Sequence, residues 1–452
     1  MYFLNLDVIG GTDLVLHGTG RDAVVEGTRA EGVKPLSPGV VEDVYTIALK
    51  GAAIQAWTTE LEERLALARA GLRIVYLELQ TESRYNPVRS RVLDGWIEVL
   101  GKGYGDRARG YQGLRLHVVR VDGWDGARSA LNLSNRNGTD IWNGLTLYNH
   151  TDNGAGHDNF ADIKPGDLAG AQAGATNIQL NLGASPSRTI KSVVIAAGTG
   201  LKSDSSAFDH VLEGESATAG AGATASGNTA LGTCSNGSYK YVEWTSTSEV
   251  QLLKWTLSPS RLGWMLGRGF KPVVRLASLP AANIFLRWKI AAKTLTATVD
   301  QTAQLKLNSA RSLVALPTLY LPPQPLGPGL EGAGIYDETQ IELWAECVTA
   351  GTKRLELDFV QLLPVEQYAF LTEVGGAEQG NSLHVNGALE QVYTENNTSG
   401  RQSIGHVLNG GYIKLRPGKY NRVYVLYETD SGFPVDDSLA LKIYYGPRWK
   451  TP

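Results

Sequence analysis

Potential metal ligands concentrate in one polar stretch of the chain, "YNHTDNGAGHDNF", which spans residues 148–160. His150 and His157 could be considered as zinc ligands, but zinc sites use closely spaced ligand sets on rigid elements, which this stretch does not offer. Oxygen ligands of the kind that Ca²⁺ takes are more plentiful here. They are Asp152, Asn153, Asp158 and Asn159. Two interpretations follow: a structural calcium site built on Asp152, Asn153 and Asp158, or a polar loop whose Asx side chains only form turns.

Two aromatic residues near this stretch are candidates for contact with a glycan. Trp142 and Tyr148 lie nearest to the Asn-rich segment. Exposed aromatic rings can stack on the apolar faces of sugars, whereas a tryptophan within a strand normally packs in a core. Glycan contact and core packing are therefore both open for these residues, and the fold alone does not decide between them.

No arrangement of residues in the sequence predicts catalysis. The G-x-S-x-G pattern does not occur in a strand–turn–helix setting, and the Gly-rich segments lack the frame of a phosphate-binding loop. Glycoside hydrolysis needs two facing carboxylates. Acidic residues do alternate along predicted strands, which is typical of a solvated face; they are Glu342, Glu346, Glu356 and Asp358. We therefore expect no enzymatic activity, and no cofactor other than the calcium considered above.

Composition favours a folded, β-rich protein of more than one domain. The chain has 452 residues, of which 42% are apolar and 19% charged, values typical of globular proteins. Its formal net charge of −3 does not favour nucleic-acid binding. The 52 Gly, 10 Trp and 19 Tyr suit strands and turns. Cys234 and Cys347 are too few and too far apart for a metal quartet or a disulfide framework and are expected to be free, partly buried thiols.

Neither export nor membrane insertion is predicted. The segment "MYFLNLDVIGG" lacks the basic start and the long apolar run of a secretory signal. No window approaches the roughly 20 apolar residues of a membrane span. We expect a protein that is made in a cytoplasm and does not enter a membrane.

One segment, residues 52–70, has the pattern of an amphipathic helix. Its apolar residues recur three or four positions apart and form one stripe. They are Ile54, Trp57, Leu61, Leu65, Ala68 and Leu72. Gly71 is a natural helix stop. Strand-like segments precede and follow the helix, so residues 1–128 are predicted to form a β domain with the helix packed on its sheet.

Nearly all other segments alternate apolar and polar residues, so the predicted fold class is all-β with one amphipathic helix. Residues 129–367 are predicted to form a β-sandwich of jelly-roll type. Within it, residues 198–239 are small and polar and are predicted to form a flexible exposed loop, which is either mobile or ordered only by its neighbours. Residues 368–452 are predicted to form a small C-terminal β unit, which could be independent or could complete the sheet of the first domain.

The last part of the chain carries the most distinctive motifs. In "LRPGKYNRVYVLYE", residues 415–428, Pro417 and Gly418 predict a turn that leads into a strand. In "DDSLALKIYYGPRWKTP", residues 436–452, a strand is followed by a Pro-Arg-Trp tail. These motifs resemble the C-terminal ends of minor structural proteins of tailed bacteriophages, which have an L-x-PG-x-N turn and a YYRPRW-like ending. Gly446 stands where those proteins often carry Arg.

Two further segments are similar to parts of the same family. The sheet and helix of residues 1–128 resemble the tube-like domain of phage distal tail and tail-tube proteins. The motif "GHDNFADI" followed by "PGDLAG" resembles the carbohydrate-binding-module-like jelly rolls inserted in tail-tip and baseplate proteins, in which a structural calcium is common. The resemblance implies a virion protein that forms a ring, as a homohexamer, with tail-tube and tail-tip hub proteins as partners. It also implies an outward jelly roll that could touch host surface glycans.

An alternative function is that of a receptor-binding or glycan-binding tail protein, and a carbohydrate-active enzyme is the third. The C-terminal tail adds a docking hypothesis, because Arg448 and Trp449 are residue types enriched in interface hot spots. A frayed edge strand is the other interpretation of this tail.

Overall fold

The computed structural model of the protein describes residues 3–449 with several gaps. The stretches outside the description are residues 9–10, 19–23, 81–86, 101–109, 137, 141–142, 152–155, 182–188, 200–210, 258–264, 266, 293–296, 322–338, 373, 376–379, 397–399 and 430–437. As predicted, the fold is all-β: the described residues form several antiparallel sheets and one α-helix. The chain forms two compact units. The first comprises residues 1–129, 169–174 and 446–452, and the second comprises 130–168 and 175–445.

The first unit is a sheet with one helix packed on it. Its elements are β1 (Phe3–Val8), β2 (Leu14–Gly18), β3 (Val25–Ser37), β4 (Val40–Lys50), α1 (Ile54–Arg69), β5 (Val75–Gln80), β6 (Val88–Leu100), β7 (Tyr111–Val121) and β8 (Trp124–Asp125). The strand order is β2-β1-β5-β6-β7-β4-β3, and β8 pairs with β6. Alternate residues of β7, among them Leu114, Leu116 and Val118, are buried beneath the helix-bearing face.

Helix α1 begins and ends close to the predicted positions. Four residues of the stripe are buried as predicted: Trp57, Leu61, Leu65 and Ala68. Gly71 has a φ of +66°, and the Leu72 N–H donates to the Leu67 carbonyl at 3.1 Å, which is the geometry of a Schellman cap. Leu72 was expected to belong to the stripe. That part of the prediction is wrong, because Leu72 lies beyond the cap and is 74% exposed.

The helix approaches the sheet closely at a glycine of β6. A Cβ at Gly95 would lie 2.6 Å from the His117 carbonyl oxygen and 2.7 Å from Leu65 Cδ2.

One charged residue of the helix is also buried, although it was not part of the predicted apolar stripe. Arg64 is buried and donates from Nη1 to the Leu6 carbonyl at 2.8 Å.

The second unit contains two β-sandwiches, one of which interrupts the other in sequence. The interrupted one, which we call the parent sandwich, begins with seven strands and a 3₁₀ turn. They are β9 (Ser129–Ala130), β10 (Leu133–Asn135), β11 (Gly138–Asp140), β12 (Leu145–Tyr148), β13 (Phe160–Ile163), the turn Pro165–Asp167, β14 (Gly174–Asn181) and β15 (Ile190–Thr199).

The second sandwich, which we call the inserted sandwich, occupies residues 211–364. Its strands are β16 (Val211–Glu213), β17 (Thr218–Ala219), β18 (Ala225–Ala230), β19 (Ser238–Trp244), β20 (Val250–Thr256), β21 (Arg268–Leu276), β22 (Ile284–Ala292), β23 (Ala297–Gln301), β24 (Leu305–Lys306), β25 (Leu313–Ala315), β26 (Leu319–Leu321), β27 (Thr339–Cys347) and β28 (Lys353–Pro364), with a 3₁₀ turn at Ser235–Gly237. One sheet has the order β18-β19-β28-β21-β25 and the other β17-β20-β27-β22-β23.

The chain then returns to the parent sandwich. The returning strands are β29 (Gln367–Thr372), β30 (Ser382–Asn386), β31 (Gln391–Asn396), β32 (Gly400–Ser403), β33 (Val407–Gly410), β34 (Lys414–Leu415), β35 (Asn421–Thr429) and β36 (Ser438–Tyr445); β37 (Arg448–Trp449) follows in the first unit. One parent sheet has the order β11-β10-β13-β35-β15-β29-β33 and the other β12-β36-β14-β30-β31-β32.

The sheets of the second unit pack face to face in layers. Ile178 and Ile195, from the two parent sheets, share one core cluster. Val194, on the opposite face of β15, packs with Phe359 of the inserted sandwich in another cluster. Because β15, β28 and β35 are covered on both faces, nearly all of their residues are buried.

The predicted domain boundaries differ from this organisation. The stretch 129–367 contains the inserted sandwich but only half of the parent sandwich. For example, β15 lies within this stretch, but its partner β35 lies beyond it. Residues 368–445 complete the parent sandwich and not the sheet of the first domain. The flexible loop predicted at 198–239 is wrong where it is described, since residues 211–239 contain β16, β17, β18 and the start of β19. Residues 200–210 lie outside the described part of the chain.

Both cysteines, Cys234 and Cys347, are free thiols, as predicted, and both are fully and not only partly buried. No helix in the described part of the chain is long and apolar enough to cross a membrane.

Candidate functional site

The stretch predicted as a metal site contains two stacked rings. Tyr148, at the end of β12, stacks on His157 with ring centroids 3.8 Å apart and an angle of 15° between the planes. His157 Nδ1 lies 3.0 Å from His150 Nε2, so one nitrogen donates and the other accepts. These side chains form a line that starts at the partly exposed Tyr148 and leads to the buried His150.

Asp158 uses its carboxylate within the protein. It is fully buried, and Arg136 donates to it from its backbone N and from Nε, each at 2.8 Å. Asp152 and Asn153 lie outside the described residues, so the calcium site remains a prediction. Among the residues that are described, no group of three or more His, Cys, Asp or Glu is arranged to hold a metal ion.

A buried ion pair, not recognised from the sequence, lies beside His150. Arg275 on β21 and Asp358 on β28 are 2% and 0% exposed, and Arg275 Nε lies 2.9 Å from Asp358 Oδ2. Arg275 Nη1 donates to the Asn149 carbonyl at 2.7 Å and lies 3.3 Å from His150 Nδ1. Since Asn149 and His150 belong to the parent sandwich, the ion pair links the two sandwiches.

Burial shifts the pKa values of two residues in this cluster, Asp358 and Cys234. Burial raises the pKa of Asp358 to about 7, against the attraction of Arg275 and the hydrogen bond from the Ser235 N–H. Burial also raises the pKa of the Cys234 thiol, which therefore stays protonated at neutral pH and is a poor nucleophile. The solvated face predicted for the alternating acids is wrong for Glu342 and Asp358, which are both buried. For Asp358 the reason is that β28 is covered on both sides. The cluster is suited to joining sheets and not to contacting a ligand.

The structure describes only one of the two residues predicted to contact a glycan. Trp142 lies outside the described residues. Tyr148 is described, and His157 covers one face of its ring. Glycan contact by Tyr148 remains a prediction that concerns the other ring face.

Both docking candidates make contacts within their own unit. β37 pairs with β8, which places Trp449 opposite Trp124, and the ring of Trp449 packs against the first core. A Cβ at Gly126 would lie 2.7 Å from Trp449 Cζ3, so glycine makes room for this ring. The Arg448 side chain donates to the Asp122 carbonyl. Both residues are partly exposed, and docking to another protein remains a prediction for them.

One edge strand of the first unit is unusually exposed. Every residue of β3 from Arg29 to Ser37 is exposed, and β4 is the only strand that pairs with it in the described part of the chain. Val33 and Leu36 are 61% and 46% exposed. The outer edge of β3 therefore presents unpaired backbone groups together with apolar side chains, a combination that can pair with another strand.

The same strand has features that restrict such pairing. Its register with β4 shifts at three points, and Lys34 and Pro35 lie near its C-terminal end. Bulges, lysine and proline are devices by which proteins prevent open-ended strand addition. These features limit indiscriminate strand addition at the edge.

A polar cleft of about 480 Å³ opens where the inserted sandwich rejoins the parent sandwich. Its walls come from β21, β29 and β33 and from the Val365–Glu366 link. Lys271 Nζ lies 5.3 Å from the centroid of the Tyr368 ring. Tyr368 Oη is buried and has no hydrogen-bond partner among the described residues.

No protein-family model matches the chain, and no curated protein matches it either. The function must therefore be inferred from the sequence motifs and from the surfaces described above.

Proposed function

We propose that the chain is a structural subunit of a bacteriophage tail, of the distal-tail or baseplate type, which assembles with copies of itself into a ring. The proposed role is non-enzymatic. Two kinds of observation support it: the C-terminal motifs that resemble minor tail proteins, and the exposed outer edge of β3.

The exposed edge of β3 is the main observation that supports this proposal. A strand that exposes both faces and one edge presents apolar side chains and unpaired backbone groups to solvent. We therefore expect another chain to cover it in the functional state. A second copy of the chain is the simplest occupant, because strand pairing between identical subunits can close a ring and leave no free edge. Val33 and Leu36 would supply the apolar part of that contact.

The partners follow from the same proposal. A ring in a tail would adjoin tail-tube and tail-tip hub proteins, and six copies would match the usual symmetry of the family that the sequence resembles. The location would be the virion, after synthesis in the host cytoplasm. Receptor or glycan binding is the alternative function, and Tyr148, with one ring face not covered by His157, is the residue that favours it.

Negative-stain electron microscopy of the purified protein, with the oligomer mass measured in parallel, tests the proposal. The expected result is a sixfold ring with a central channel. Monomers or trimers at every concentration tested, with no ring in the presence of tail-tube protein, would contradict it and favour the alternative.

A further inference from the structure

The cleft beside Lys271 has the chemistry of an anion site. Lys271 is half-buried and makes no ion pair with any described residue. Burial lowers the pKa of this lysine, and no other group contributes to the shift. A cation removed from water without a counter-charge is costly. A ligand that brings a negative group would remove that cost.

A second unpaired group belongs to Tyr368, another residue of the cleft wall. The Tyr368 hydroxyl is buried without a partner among the described residues, and burial raises its pKa, so it remains a neutral donor. Buried polar atoms are nearly always hydrogen-bonded. Lys271 Nζ lies over the same tyrosine ring, 5.3 Å from its centroid, so the two unpaired donors are close together.

Glycine lets β33, which forms one wall of the cleft, approach Tyr368 closely. Gly410 has a φ of +101°, and a Cβ there would lie 2.2 Å from the Tyr368 carbonyl oxygen. The Gly411 N–H donates to that same oxygen at 2.8 Å. Because Gly410 has no side chain, β33 can lie directly against the backbone of Tyr368. The wall also carries the amide of Asn409 and, at its rim, the exposed Lys414.

The single carboxylate in the lining does not neutralise the lysines. Glu366 accepts a hydrogen bond from Thr199 Oγ1 at 2.8 Å, and it makes no contribution to the pKa of Lys271. Lys271 and Lys414 therefore leave the cleft with a net positive charge. Its volume of about 480 Å³ is within the range of small-molecule sites, which are often found between domains.

We propose that this cleft binds a sugar-sized ligand through a carboxylate or phosphate group, with Lys271 contacting the charge and Tyr368 Oη donating a hydrogen bond to it. Lys414 would add a weaker contact at the rim, and Asn409 would bond a ligand hydroxyl. The site is independent of ring assembly, so failure of one proposal would not affect the other.

Saturation-transfer NMR and calorimetric titration of the full chain test this site with three probes: glucuronate, glucose 6-phosphate and glucose. We expect at least one of the two anions to bind and glucose not to bind. The anion that binds better identifies the carboxylate or the phosphate as the preferred group. Binding should weaken as salt is added, because a partly exposed ionic contact is screened.

Two variants and one matched control identify the residues. Lys271→Met should weaken binding by about tenfold or more, the effect of losing a charge-assisted hydrogen bond. Tyr368→Phe should weaken it by a smaller factor without changing the fold. Lys306→Met is the control, because Lys306 Nζ lies 6.0 Å from the Phe285 ring centroid outside this cleft, and it should leave binding unchanged. Absence of binding by both anions, equal binding of glucose, or full binding by a folded Lys271→Met variant would overturn the proposal.

Discussion

The side-chain amides of Asn159 and Gln361 exchange two hydrogen bonds across 202 positions of the sequence. Asn159 Nδ2 donates to Gln361 Oε1 at 2.5 Å, and Gln361 Nε2 donates to Asn159 Oδ1 at 3.2 Å. Both residues are fully buried. Asn159 precedes β13 of the parent sandwich and Gln361 lies on β28, so this amide pair fixes the inserted sandwich in place.

Gln361→Leu should destabilise the second unit. The substitution leaves Asn159 Nδ2 buried without its acceptor, which costs about 1–3 kcal/mol of unfolding free energy. Urea unfolding followed by tryptophan fluorescence measures this. Gln402→Leu is the control, since Gln402 is exposed on β32 and should change stability by less than about 0.5 kcal/mol. Equal stability of the two variants would contradict a structural role for the amide pair.

Asp358 should make stability depend on pH. Its folded-state pKa is raised to about 7, whereas an unfolded Asp titrates near about 3.9. The folded protein therefore binds this proton more tightly, and the resulting stability is complete below about pH 4 and is lost as the pH rises to about 7.

The comparison with Asp358→Asn isolates this effect, because all other titrating groups are shared. The unfolding free energy of the wild type minus that of the variant should fall between those two pH values and level off above them. Urea titrations at a series of pH values measure it. A difference that is constant with pH, or that rises with pH, would show that Asp358 stays ionised beside Arg275.

Gly95→Ala should destabilise the first unit. A Cβ at this position would lie 2.6 Å from a backbone oxygen and 2.7 Å from Leu65 of the helix, so α1 would have to shift, at a cost of about 1–3 kcal/mol. Gly27→Ala is the matched control in the same sheet, because a Cβ at Gly27 meets nothing within 4 Å. Calorimetric melting should show a lower Tm for Gly95→Ala only, and an unchanged Tm would contradict the close approach.

Val33→Glu/Leu36→Glu should prevent ring assembly without unfolding the protein. Both side chains are exposed in the isolated chain, so the substitutions should cost less than about 0.5 kcal/mol each, while charges on the β3 edge would oppose pairing with a second copy. Analytical ultracentrifugation measures the oligomer.

The control for this pair is Val348→Glu/Leu279→Glu. Val348 and Leu279 are 62% and 43% exposed, close to the 61% and 46% of Val33 and Leu36, but they lie in the inserted sandwich. Assembly should survive in the control. Loss of the oligomer in both double variants, or in neither, would contradict the prediction that β3 forms the interface.

Local patterns in the sequence predicted local structure well. The spacing of Trp57, Leu61 and Leu65 was enough for the helix, because a helix repeats its buried face within a few residues. The turn at Pro417 and Gly418 was also predicted correctly: Gly418 has a φ of +68°, and Asn421 closes the turn by donating to the Arg416 carbonyl at 2.9 Å.

Pairing between distant strands was not predictable in the same way. Small residues in the stretch 211–239 suggested a mobile loop, yet at Gly214 and Gly220 the chain lies directly against neighbouring backbone. A Cβ would lie 2.3 Å from the Leu357 carbonyl at Gly214 and 2.3 Å from the Gln251 carbonyl at Gly220. Composition alone does not distinguish tight packing from the absence of packing. Likewise, alternation along β28 did not reveal that both of its faces are covered, so the burial of Asp358 was missed.

The nesting of one sandwich within the other has a consequence for synthesis on the ribosome. The inserted sandwich is a single continuous stretch and can fold as soon as it has emerged, whereas β15 must wait for its two partners, β29 and β35. Ser192 on β15 bonds Glu428, which is made 236 residues later. Until β29 and then β35 have been made, the nascent chain carries a strongly apolar strand without its partners. We expect this strand to be what a cellular chaperone protects, and synthesis without chaperones should yield aggregates in which the inserted sandwich is already native.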